Sequence, residues 1–334
     1  MKFQRIDGRV AQITAGSSSE QPSLTSRMLI NVLNDNPPDE ADPEKRGLPF
    51  QPRSYRDFML FERHYYGVAM GLTSLYRPWV NNLARLYSAT TGADFPLFKP
   101  RALWYRQPIF YQSNHLAFYA DGAPIANPDY CEYLDVELEL GIVLGKPLYN
   151  ATPEEATAAI AGFCVFNDFS VRNGQMDELS SDFGPQNSKS FANSISATVV
   201  SADEILPKIN HLSGRITING IVVKEPKVDR WQFSIGEALA HVSKGTRLYP
   251  GEFFGSGTFP QGAGIECPRL SFFSPVSVLA LGWAAIPYLS WAKTLTMAVF
   301  VIDTAFQLRV GDVVKLEIDG IGSVTNTIVA EGDK

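Results

Sequence analysis

The run Leu134-Asp135-Val136-Glu137-Leu138-Glu139-Leu140-Gly141-Ile142-Val143-Leu144 alternates acidic and aliphatic residues with the period of a β-strand, which places Asp135, Glu137 and Glu139 on one face. A solvated face over a buried aliphatic one is the plain reading of such a pattern. Here every charge has one sign, and from Leu134 on the segment contains no Lys or Arg before Lys146. Same-face carboxylates two residues apart repel unless water screens them or a cation neutralises them, so the run points to a divalent metal with Glu137 and Glu139 as its core ligands. Oxygen ligands favour Mg2+ or Ca2+, with Mn2+ also suited, whereas zinc usually recruits His or Cys. A third oxygen ligand is at hand in Asp168, just after the apolar run Phe163 to Phe166 and at the expected C-terminal end of a strand; a turn or cap role is its alternative.

The elements that must position these groups are mostly strands. Residues 2–7 and 9–14 read as a hairpin turning at Asp7-Gly8. Residues 34–53, rich in Pro, Asp, Glu and Asn, read as a surface linker. Helices are expected over 56–70 and 72–88, with Pro78 starting or kinking the second. Beyond Pro96, short apolar runs at 109–111, 115–119, 142–144 and 216–218 read as strands. One helix interrupts them at Thr152-Pro153-Glu154-Glu155, a capping box, and is expected to end at Gly162. No internal repeat is evident.

With 334 residues and 45% hydrophobic content, the chain is long and apolar enough for a substantial core. A net charge of -6 lacks the basic stripe a phosphate backbone requires, which argues against a nucleic-acid partner. Cys131, Cys164 and Cys267 match neither a disulfide framework nor thiolate zinc spacing, so a reducing compartment is expected. The first residues carry charge and no long apolar run, unlike a signal peptide, and the expected location is cytoplasmic, with mitochondrial as the alternative.

Four blocks in order carry a family resemblance: Leu-Asp-Val-Glu-Leu-Glu-Leu-Gly at 134–141, Asn-Asp-Phe-Ser-Val-Arg at 167–172, Asn-Ser-Lys-Ser-Phe at 187–191, and the segment from Gly311-Asp312-Val313-Val314 to Gly320-Ile321-Gly322. With them the chain resembles the fumarylacetoacetate hydrolase family. The resemblance extends upstream to Asp57-Phe58-Met59-Leu60-Phe61-Glu62-Arg63-His64. It implies an α+β, strand-dominated fold with a mixed β-roll catalytic core and a smaller N-terminal portion. Residues 1–50 would be the hairpin and linker and 51–334 the catalytic domain. It further implies Asp57, Glu137, Glu139 and Asp168 as metal ligands, His64 as general base and Lys189 as a positively charged stabiliser of the carbanion or carbonyl. Arg172, Gln175, Tyr111 and Thr258 fall where the family contacts substrate, and a homodimer is a family expectation. Met59 stands where the fumarylacetoacetase branch has a substrate-contacting tyrosine, which argues against fumarylacetoacetate itself as substrate. Other branches pair the histidine with a glutamate three residues later; Gly67 stands there, so Glu266 is the candidate partner that orients His64.

Between Glu266 and Leu308 the resembling family has only a short connection, yet here residues 276–302 are uncharged apart from Lys293. A membrane span, an interfacial hairpin or dimer contact, and a gene-model artefact all fit this insertion at about 267–307; Pro287 and Lys293 count against the span. For function, three readings stand: a metal-dependent hydrolase cleaving a carbon-carbon bond in a 1,3-diketone or acylpyruvate-like acid; a 2-oxo acid decarboxylase or tautomerase (isomerase) with the same enolate chemistry; and a catalytically silent protein whose insertion binds a membrane or partner.

Overall fold

The computed structural model describes residues 1–13, 22–266 and 307–333. Strands β1 (Lys2–Ile6) and β2 (Arg9–Gln12) form a hairpin through Asp7 and Gly8, both at positive φ as a tight turn demands. Helix α1 (Leu24–Asp35), capped by the Ser23 hydroxyl accepting from the Ser26 N–H, buries Met28, Leu29, Val32 and Leu33. In chain order the remaining strands are β3 (Tyr55–Phe58), β4 (Phe110–Ser113), β5 (Phe118–Tyr119), β6 (Pro124–Asn127), β7 (Leu134–Asp135), β8 (Leu138–Leu144), β9 (Ile160–Asp168), β10 (Ser170–Val171), β11 (Asn193–Ile195), β12 (Thr198–Ser201), β13 (Gly214–Ile218), β14 (Ile221–Lys224), β15 (Phe253–Gly255), β16 (Val313–Ile318) and β17 (Gly322–Ala330). Helices α2 (Glu62–Tyr76), α3 (Pro78–Thr91), α4 (Pro153–Ala158), α5 (Arg172–Ser180), α6 (Asn187–Ser190), α7 (Ala202–Ile205) and α8 (Ile235–Val242) lie between them.

The result is an α+β fold on mixed sheets. The larger sheet runs β2-β1-β12-β9-β8-β15-β3-β4, with β11 and β5 branching from β9; the second runs β14-β13-β16-β17-β6. In the larger sheet the central strands β8 and β9 are buried at every position, as near-continuous apolar runs must be when both faces are covered. The first 50 residues are joined to this core: β1 pairs with β12, α1 packs on β9, and Leu48 and Phe50 are fully buried. A plain surface linker over 34–53 is therefore corrected, because a few apolar side chains inside a polar stretch suffice to anchor it.

Two expected boundaries also shift. Residues 55–58 are strand, not the start of a helix, because Tyr55 and Asp57 pair with β15 on one side and β4 on the other. Local periodicity cannot register that pairing. Helix α4 has its capping box and Pro at the first turn but ends at Ala158, since residues 160–168 are recruited into the sheet.

The segment 267–306, and with it the apolar stretch 276–302, lies outside the described residues. Its two flanks meet the same short strand: the Ile265 N–H donates to the Asp135 carboxylate (3.0 Å) and the Leu308 N–H to the Leu134 carbonyl (3.1 Å). Among the described residues no helix is long and apolar enough to cross a membrane.

Gly141, in the middle of β8, has no room for a side chain: a Cβ there would stand 2.6 Å from Phe253 Cζ and 2.7 Å from Cys164 Sγ. Gly141→Ala is expected to lower stability by about 1–3 kcal/mol, the usual cost of overpacking. Urea unfolding checks this, and an unchanged midpoint would mean that β8 and β15 spread apart at little cost.

Candidate active site

The acidic run is not one strand. β7 stops at Asp135 and β8 starts at Leu138, with Glu137 making only an isolated bridge to Ala263. Side chains replace the ladder here: the Val136 N–H donates to Asp135 Oδ1 (2.8 Å) and the Glu137 N–H to Asn167 Oδ1 (3.1 Å). The expectation that Asp135, Glu137 and Glu139 act as one face is thereby corrected, and each carboxylate has different partners.

Glu139 meets Asp57 and Asp168. One carboxylate oxygen from each lies within 4.8 Å of the others, and all three residues are buried. Sheet register brings them together: Glu139 pairs with Phe166, two positions before Asp168, while Gly255 of β15 pairs with Gly141 on one side and Asp57 on the other. Gly255 is obligatory, because a Cβ would stand 2.2 Å from Asp57 Oδ1 and 2.6 Å from Glu139 Oε2. The Gly257 N–H donates to Glu139 Oε2 (3.1 Å) and Asp57 Oδ1 (3.3 Å), and the Thr258 hydroxyl to Glu139 Oε1 (3.1 Å). Burial, reinforced by Asp168, pushes Asp57 up to about 7; burial also pushes Asp168 up to about 6, with Lys189 holding it back. Glu139 is raised well above the ordinary range by burial and by its two acidic neighbours. Asp168 Oδ1 is buried with no hydrogen-bond partner. Three hard oxygen donors, mutual repulsion and an orphaned oxygen fit a bound Mg2+, Ca2+ or Mn2+.

Next to this cluster lies a set of cations. The Lys189 ammonium donates to Glu137 Oε2 and to Asp168 Oδ2. Arg172, fully buried at the start of α5, sets Nη2 2.7 Å from Asp135 Oδ2 and 2.8 Å from Glu137 Oε1, and donates through Nη1 to Gln175 Oε1 (2.8 Å). Although burial opposes it, Lys189 and Arg172 hold Glu137 well below the ordinary carboxylate range. Burial likewise opposes the charge on Lys189, yet Asp168 and Glu137 outweigh it and raise its pKa, which favours the ammonium form. His64, on α2 and 1% exposed, places Nδ1 3.1 Å from Glu266 Oε1 and Nε2 3.9 Å from Glu137 Oε1. Gly67, one turn on, makes the space: a Cβ would stand 2.9 Å from Glu266 Oε1.

All the site residues expected from sequence thus gather in one buried region, in altered relations. Glu137 lies among Lys189, Arg172 and His64 rather than in the three-carboxylate group. The four expected substrate contacts have partners inside the protein: Tyr111 donates to Asp168 Oδ2, Thr258 to Glu139, and Arg172 and Gln175 bond each other. Gly255, Gly257 and Asn167 were not foreseen. The Gly-Ser-Gly of 255–257 was the available signal, and only the sheet register shows what its missing side chains leave room for.

Two outcomes follow from the carboxylate geometry. The raised pKa values of Asp57 and Asp168 mean that, without metal, the folded chain binds protons more tightly than the unfolded one; this stability is present below about pH 4 and is lost as pH rises through about 6 to 7. A cation favours the charged forms, so the melting-temperature gap between Mn2+-loaded and EDTA-treated protein is expected to widen from pH 5 to pH 8; a constant gap would place the binding elsewhere. Gly255→Ala is expected to weaken Mn2+ binding by roughly 10-fold or more, as loss of ligand support does. Isothermal titration reads this, and unchanged affinity would separate the cluster from the metal.

The chain is similar to known proteins of one family. The family model for the fumarylacetoacetate (FAA) hydrolase C-terminal domain matches residues 87–329. A fumarylacetoacetate hydrolase domain-containing protein 2 homolog from Dictyostelium discoideum is 26% identical over 233 residues, 67% of this chain; the chain spans only 64% of that protein's length. The mitochondrial oxaloacetate tautomerase FAHD1 of Mus musculus is 30% identical over 159 residues, 47% of this chain and 71% of that one. Among solved structures, fumarylpyruvate hydrolase from Pseudomonas aeruginosa, in complex with Mn2+ and pyruvate, superposes with a TM-score of 0.53 at 16% identity, covering 87% of this chain and 93% of that one. With nearly three quarters of its length matched by the family model and the acidic strands, lysine helix and closing strands in their expected order, the chain belongs to the fumarylacetoacetate hydrolase family.

Proposed function

We propose that this chain is a metal-dependent hydrolase that cleaves a carbon-carbon bond in an acylpyruvate-like 1,3-diketo acid. The observation that carries this reading is the juxtaposition, in one buried site, of the Asp57/Glu139/Asp168 group, the Lys189 ammonium and the His64–Glu266 pair. Those three carboxylates would hold a divalent cation, Mn2+ or Mg2+ before Ca2+, with Glu137 adjoining it. When bound, the ion supplies Lewis-acid polarisation of a substrate carbonyl. The protein supplies the rest. Glu266 faces Nδ1 of His64, which leaves Nε2 to take a proton from water or from the carbon between two carbonyls. Lys189, held as a cation, balances negative charge that develops on the substrate oxygen. Burial excludes bulk water and strengthens each of these interactions.

A second reading, oxo-acid tautomerisation, is favoured by the similarity to the mouse oxaloacetate tautomerase, since moving a proton between carbon and oxygen needs the same base and the same charge stabilisation but no attacking water. A panel of acylpyruvates and oxaloacetate, followed by product release and by enol–keto absorbance, separates the two. His64→Ala is expected to lower turnover on the best compound by roughly 100-fold or more while leaving metal affinity within a few-fold, as expected for loss of a general base. Undiminished turnover would remove His64 from the mechanism. A wild type inert toward the whole panel with Mn2+, Mg2+ and Ca2+ would leave a catalytically silent protein.

A further inference from the structure

Asp135 has no part in the chemistry above, yet its fully buried carboxylate is the most heavily bonded acid near the site. Oδ1 accepts from the N–H groups of Val136 (2.8 Å) and Gly264 (3.0 Å); Oδ2 accepts from Arg172 Nε (2.8 Å) and the Ile265 N–H (3.0 Å), with Arg172 Nη2 at 2.7 Å. Gly264 and Ile265 open the short 3-10 turn Gly264–Glu266, whose last residue carries the carboxylate facing His64. From the other side α2 presses on the same turn: a Cβ on Gly71 would stand 2.2 Å from the Ile265 carbonyl oxygen. The turn is therefore clamped between Asp135 and the helix that bears His64. Through Arg172 the same carboxylate also fixes the guanidinium whose Nη2 forms an ion pair with Glu137 Oε1 (2.8 Å).

We infer that Asp135 is a positioning residue, anchoring Glu266 against His64 through the Gly264–Glu266 turn and Glu137 through Arg172, so that the partner of the base and the Glu137 carboxylate share one support. This rests on the reading of His64 as the base. A carboxylate at 135 suits the task because four N–H groups converge on it; an amide of the same size would turn donors toward Arg172 and Ile265. Charge-assisted bonds of this kind, sealed from water, hold a side chain far more tightly than neutral ones. Their loss loosens Glu266 by a fraction of a bond length, and misplacement on that scale costs a rate rather than a fold.

The test compares Mn2+-loaded wild type, Asp135→Asn, Glu266→Gln and the double variant. At a temperature where all are folded, Asp135→Asn is expected to lower kcat by about 10- to 100-fold with KM within about 3-fold, and the double variant to lose little more than the worse single one, because both act through one contact. A folded Asp135→Asn with wild-type kcat, or fully additive losses, would overturn the inference and leave Asp135 a residue of the fold alone. The His64 imidazole 1H–15N correlation of the same proteins loaded with diamagnetic Mg2+, assigned by its absence in His64→Ala, gives a readout independent of turnover: it is expected to move alike in Asp135→Asn and Glu266→Gln, and an unmoved signal in the former would sink the idea. If Asp135→Asn does not fold, Asp135→Asn/Arg172→Gln, which leaves no unpaired buried charge at this pair, carries the same signal. A wild type without turnover would defeat the proposed function, while the imidazole signal would still decide the role of Asp135.

Discussion

Four carboxylates in a region closed to water set the problem that the surrounding structure answers. Asp57, Glu137, Glu139 and Asp168 are all buried, and like charges at such spacing cannot all ionise without compensation. The answer is uneven. Glu137 receives both Lys189 and Arg172 and is held below the ordinary range, whereas among the described residues Asp57 and Glu139 pair with no cation and Asp168 only shares Lys189, so burial drives these three upward. That division marks where a metal ion gains most, since it supplies the charge the protein withholds.

The fold maintains this imbalance by placing the acids on separate elements. β3, β8 and the end of β9 each contribute one member of the triad, and β15 between β3 and β8 is narrowed to glycine where their side chains meet. Packed strands cannot drift apart to relieve repulsion without breaking ladders on both flanks, so the strain stays at the site. The aromatic cluster of Tyr55, Phe118, Phe166 and Phe253 behind it adds contacts that resist such spreading.

Gly67 and Glu266 show how one relation can be built from different parts of a chain. A carboxylate beside His64 could come from the next turn of α2; here that turn is stripped to glycine and Glu266 reaches in from a distant turn. The histidine is oriented either way, but in this arrangement its geometry depends on how the turn docks, and the loss of local control is met by the bonds that hold the turn.

Much of this was legible in the amino-acid order. The alternation of acids and aliphatics marked β8, the apolar run ending at Asp168 marked β9, and the blocks around Lys189 and residues 311–322 pointed to the family and to an α+β fold. These signals are local, arising from side-chain period and from residue types that few environments tolerate. The break at Val136–Glu137, the recruitment of residues 55–58 into the sheet, the anchoring of Leu48 and Phe50, and the division of Glu137 from the triad were decided only by tertiary structure. Each depends on a partner far along the chain: Asn167 for the Glu137 N–H, β15 for Asp57, and Arg172 with Lys189 for the Glu137 carboxylate. A carboxylate's type is written in the sequence; whether it meets a metal, an arginine or a backbone N–H is settled by which distant groups the fold brings within about 3 Å of it.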